Sequence, residues 1–83
     1  MRASRAYTVK HVRGGALPRL ADPHRVDHVE VVELGSGEVV LFWDLTADGA
    51  RRVLRQLRED LANLDAQEFF TAWRAADDEG ART

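Results

Sequence analysis

No cysteine occurs among the 83 residues of this chain, which excludes a disulfide framework, thiol redox chemistry and any cysteine-based zinc site. Lysine is almost missing as well: Lys10 is the only one, and arginine carries the remaining basic charge. Long apolar runs are absent. Nothing approaches the roughly 20 consecutive apolar residues of a membrane-spanning helix, and the stretch from Met1 to Tyr7 lacks the apolar segment of a secretory signal. These absences predict a cytoplasmic protein with no membrane association. Charge of one sign is lacking too, since twelve basic and fourteen acidic side chains leave a net charge of -2. Such a balance gives no global attraction to nucleic acid, so binding to DNA or RNA is disfavoured and would need a local basic patch.

Catalytic motifs are equally scarce. Ser4 and Ser36 are the only serines, and neither sits in a strand-to-helix turn of the kind that presents a nucleophile. Gly14-Gly15 lacks the G-x-x-x-x-G-K-[ST] spacing that cradles phosphate and reads as a turn. No catalytic constellation and no cofactor site is expected, and the chain reads as a non-enzyme.

What is present is enough for one small domain. A chain of this size buries only about 60% of the surface its unfolded form exposes, so its core is marginal without a staple or a partner. Residues 1–6 lack periodicity, and residues 77–83 are acidic, small and polar; both are expected to be loose flanks of a single domain over residues 7–76.

Within that domain, Tyr7 to Val12 suits a short strand. Arg13 to Arg25, with Gly14, Gly15, Pro18 and Pro23, suits a long extended connection anchored by Leu17 and Leu20. Val26 to Leu34 and Glu38 to Asp44 are rich in β-branched and aromatic residues and flank Gly35-Ser36-Gly37, a strong hairpin signal. A two-residue Gly35-Ser36 turn would set Glu33 opposite Glu38, an unfavourable like-charge pair. A three-residue loop with Gly37 in the left-handed region avoids it. That register puts Val29, Val31, Val39, Leu41 and Trp43 on one face. Val32, Leu34, Val40 and Phe42 fall on the other, with His28, Glu30 and Glu38.

Two helices follow. Thr46 is a helix cap with Asp48 in the first turn, and Asp44 is placed to support it. Ala50, Val53, Leu54, Leu57, Leu61 and Leu64 then form an amphipathic stripe. Asp65-Ala66-Gln67-Glu68 matches a capping box with aspartate in the first place, and Leu64 and Phe69 take the positions of a hydrophobic staple. The second helix is expected from Ala66 through Phe69, Phe70 and Trp73 to about Ala76. The sum is an α+β fold: a small three-stranded antiparallel sheet, made of a strand, a long connection and a β-hairpin, followed by two helices packed on one face.

Three surfaces are candidates for function. Helices on one face leave Val32, Leu34, Val40 and Phe42 to be covered either by the N-terminal segment, through Tyr7, Val9, Leu17 and Leu20, or by a second subunit. A homodimer is the favoured cover, which makes the chain a small self-associating accessory or regulatory module acting through protein contacts. Arg51, Arg55 and Arg58, with Arg52 beside them, line one face of the first helix and could contact phosphates, although a solvated face needs such charges anyway. The strand-helix-helix order resembles that of ribbon-helix-helix repressors, yet their groove-reading strand is polar and Glu38 to Asp44 is largely apolar. Finally His24, Asp27, His28 and Glu30 form a cluster of metal-ligating or acid-base types. His28 and Glu30 share a strand face, and His11 is the one further histidine. Two such nearby ligands fall short of the three that a catalytic zinc site usually needs.

Overall fold

The computed structural model describes residues 1–13 and 26–81, with side chains up to residue 75. In chain order the elements are α1 (Ala3–Ala6), β1 (Tyr7–Val12), β2 (Val26–Glu33), β3 (Val39–Thr46), α2 (Ala47–Asn63) and α3 (Ala66–Ala81). Among the described residues the strands form a three-stranded antiparallel sheet in the order β1-β2-β3. The chain is therefore α+β, with the expected strand and hairpin followed by helices; the connection expected between β1 and β2 lies outside the described residues from 14 to 25. The anchors Leu17 and Leu20 lie outside the described residues.

The leucine stripe of α2 is the centre of the core. Ala50, Leu54, Leu57 and Leu61 are buried, with Val53 and Leu64 packed against them, as the spacing predicts. They meet Val29, Val31 and Leu41 on the inner face of the sheet and Phe69 of α3. Aromatic rings close one side of this cluster: Tyr7 stacks on Phe69 at 5.6 Å between ring centroids, and Trp43 meets Trp73 edge-on at 5.5 Å. The Trp73 indole donates to the Asp60 carboxylate at 3.0 Å, so the polar tip of a half-buried ring is satisfied.

Both helix starts use the chemistry written in the sequence. The Thr46 hydroxyl accepts from the Gly49 amide at 3.2 Å. Asp65 accepts from the Gln67 amide at 3.0 Å, while Glu68 reaches back to the Asp65 amide at 3.3 Å, completing the capping box. α3 then continues to Ala81, five residues beyond the expected end.

Two expectations are corrected. Residues 1–6 belong to the packed structure: Ala3 is fully buried, its amide donates to the Leu64 carbonyl at 2.9 Å, and the Ala66 amide donates to the Met1 carbonyl at 2.8 Å. Arg2 donates to the Ala62 carbonyl at the C-terminal end of α2, supplying the positive charge that this helix's own last turn lacks. No periodicity signals such an anchor, because it depends on the α2/α3 junction presenting free backbone groups.

The second correction concerns the hairpin. From Val29 opposite Trp43 to Val31 opposite Leu41 the register is the expected one, but beyond Val31 it shifts by one residue, and Val32 stands opposite Val39. Val40 is the extra residue of a β-bulge. At the turn itself the Glu33 amide donates to the Glu38 carbonyl at 2.8 Å, so the adjacency that charge repulsion argued against is present. Ser36 relieves it, since its hydroxyl donates to the Glu33 carboxylate at 2.8 Å and accepts from the Glu38 amide. Gly37, at φ 74°, occupies the left-handed region as expected.

Candidate functional site

The bulge decides what the outer face of the sheet carries. Val40 is half-buried against the core and not on the outer face, while Val39, expected inside, is 49% exposed. An extra residue exchanges the facing of its neighbours, because side chains alternate strictly along a strand. Phe42 is 46% exposed, Leu34 is exposed at the turn, and Val32 is half-buried without joining the core cluster. By register Val12 of β1 and Val26 of β2 also face outward, and both are exposed. The outer face thus presents Val12, Val26, Val32, Val39 and Phe42. Tyr7 and Val9 pack against the core and take no part in covering that face.

Polar groups cluster at the end of the sheet where β1 finishes and β2 begins. Val12 pairs with His28, and His28 with Asp44, so three strands meet there. His28 Nδ1 is hydrogen-bonded to the Asp44 carboxylate, and its ring stacks on Phe42 at 5.4 Å between centroids. Both members of the pair are about half exposed. Asp44 therefore serves His28, and not the α2 cap that the sequence suggested; Thr46 makes the cap's side-chain hydrogen bond. Glu30 shares the outer face with His28, as expected, but lies between Lys10 on β1 and Phe42 on β3. His24 lies outside the described residues.

On the inner face of the same end, His11 Nε2 lies 2.9 Å from Oδ2 of Asp27, which is 1% exposed. Asp27 and His28 are neighbours in sequence and point to opposite sides of the sheet. Each takes a partner from a different flanking strand. Of the predicted grouping, Asp27 is therefore separated by the sheet from His28 and Glu30, and the structure adds His11 and Asp44. The pairing of His11 with Asp27 is a diagonal contact across the β1/β2 ladder, and no local pattern could have announced it.

A carboxylate bonded to an imidazole orients the ring and supports proton transfer, but hydrolysis by the triad route also needs a nucleophile within reach. Ser4 precedes β1 and Ser36 lies in the β2/β3 turn, both toward the opposite end of the sheet. Among the described residues no three His, Asp or Glu side chains are grouped so as to hold a metal ion.

Arg51, Arg55 and Arg58 are exposed on α2. Arg51, Arg52 and Arg55 line a shallow depression of about 350 Å³ together with Asp48, whose carboxylate binds Arg51 at 3.0 Å. An acid at the rim opposes an incoming phosphate. Among the described residues no helix is long and apolar enough to cross a membrane. Comparison of the chain with family models, with curated proteins and with solved structures produced no match.

Proposed function

We propose that this protein is a small self-associating binding module whose working surface is the outer face of its sheet. The observation that carries the reading is the set of outward apolar side chains, Val12, Val26, Val32, Val39 and Phe42, spread over all three strands with Lys10, His28, Glu30 and Asp44 among them. Apolar side chains exposed on one face of a sheet favour contact with a partner, and their removal from water contributes about 25 cal/mol per Å². A domain with a small core and no disulfide gains stability from such contact.

The occupant is a second copy of the chain, whose apolar side chains meet the same side chains of its partner in a twofold contact. Lys10 lies on β1 and Asp44 on β3, at opposite edges of the same face. In a face-to-face pair with its twofold axis parallel to β2, β1 of one copy lies over β3 of the other. Lys10 then comes over Phe42 and Val12 over Asp44, and each exchange happens twice because the contact is isologous. Phe42, the largest apolar group there, is the anchor.

Sedimentation velocity of the intact chain at several concentrations tests the proposal. A concentration-dependent dimer that Phe42→Glu and Val39→Asp each convert to monomer is the expected result. A parent chain that stays monomeric at high micromolar concentration would overturn it.

A further inference from the structure

We propose that the arginine face of α2 is a second binding site, fitted to the phosphate backbone of a double-stranded nucleic acid; it stands independently of the self-association reading above. A net charge of -2 gives the chain no general attraction for such a ligand, so a local basic patch is the requirement. α2 supplies one. Arg51, Arg52, Arg55 and Arg58 are all exposed on the side of the helix turned away from the core.

The pairing of these arginines sets them apart from an ordinary solvated face. Arg51 holds Asp48 at 3.0 Å, which offsets the charge with which Asp48 opposes a phosphate at the rim of the depression. Among the described residues Arg52, Arg55 and Arg58 have no hydrogen-bond or ion-pair partner. Glu59 stands four residues after Arg55, yet the two form no ion pair, base before acid being the less favourable order along a helix. Asp60 is engaged by Trp73 and Gln56. The face thus holds three unpaired guanidinium groups, Arg52, Arg55 and Arg58, against the unpaired carboxylate of Glu59.

The surroundings of the arginines choose the ligand. No large apolar side chain is exposed on α2 among the described residues, because the helix turns its leucine stripe into the core. A protein interface is anchored by apolar side chains at its centre, and a helix lying in a bilayer surface buries an apolar face; this face of α2 has neither. It also has no aromatic ring on which an unpaired base could stack, as the binding of single strands uses. A duplex backbone needs none of these groups. It is held by charge and polar contact alone, and the guanidinium fork meets phosphate oxygens with paired hydrogen bonds.

Fluorescence anisotropy of a labelled mixed-sequence duplex, once as DNA and once as RNA, tests the proposal with the intact chain across a salt series. Both duplexes should bind, since the contacts are to the phosphates they share. Three phosphate contacts give a slope of about -2.7 in log affinity against log salt, so binding should weaken about 40-fold from about 50 mM to about 200 mM. Arg52→Gln, Arg55→Gln and Arg58→Gln should each flatten the slope by about 0.9, and the triple variant should not bind. Asp48→Asn frees Arg51 and should tighten binding and steepen the slope by a similar amount, a gain that damage to the fold would not produce. Circular dichroism confirms that each variant is folded. No binding at about 50 mM salt with protein in the high micromolar range, a slope unchanged in the triple variant, or tighter binding of polyglutamate or of anionic lipid vesicles than of either duplex would overturn the site.

Discussion

Asp27 receives His11 across the β1/β2 ladder at 2.9 Å, sixteen residues away in sequence and one diagonal step away in the sheet. The carboxylate is buried on the core side, so each polar partner it keeps offsets part of the cost of removing it from water. His11→Ala takes one partner away, and the expected loss of stability is roughly 1–3 kcal/mol. Urea unfolding of the variant would check this. A melt superimposable on the parent's would mean that the pair contributes nothing measurable.

Val39 and Val40 are adjacent, yet the bulge sends one to solvent and the other toward the core. Val40→Asp should destabilise the monomer by roughly 2 kcal/mol or more, because it places a charge against apolar neighbours. Val39→Asp should stay within about 1 kcal/mol of the parent, the span of strand preference at a surface site. Chemical unfolding at low protein concentration compares the two. If Val39→Asp proved the more damaging, the unbroken register of the sequence reading would be right after all.

Leu57 is fully buried where α2 meets the sheet, and Arg55 on the same helix is exposed. Leu57→Ala is expected to cost about 2–5 kcal/mol, a large part of the total stability of so small a domain. Arg55→Ala should change stability by no more than about 0.5 kcal/mol. Denaturant midpoints distinguish the pair, and equal midpoints would show that α2 does not pack by this face.

Asp65 begins α3, and the Gln67 amide, followed by the ammonium group of Met1, holds its carboxyl below the ordinary aspartate value of 3.8. A group whose folded-state pKa is lowered contributes stability above its unfolded value and loses it as pH falls through the folded one. Asp65→Asn keeps a capping side chain but removes the charge. It should therefore melt below the parent at neutral pH, and the gap should close as the solution is acidified past the ordinary aspartate range. Thermal melts across an acid series measure this; a gap that stays constant with pH would show that the Asp65 charge is not the cause.

Much of this molecule is legible in its sequence. The β1 span, the α2 stripe from Ala50 to Leu64, the Thr46 cap and the Asp65 to Glu68 capping box each rest on residues within a few positions of one another. Local spacing controls such features, because a helix or strand turns its side chains by a constant angle per residue. The apolar outer face was legible for the same reason, although its membership was not.

The sequence by itself determined the kinds of element, their order and their apolar faces. Tertiary structure alone decided that Val39 and not Val40 faces outward, that His28 meets Asp44 while His11 meets Asp27, and that residues 1–6 dock on the α2/α3 junction. All three depend on which residue of one segment lies opposite which residue of another. A shift of a single residue there reverses every facing while leaving the periodicity within each strand unchanged.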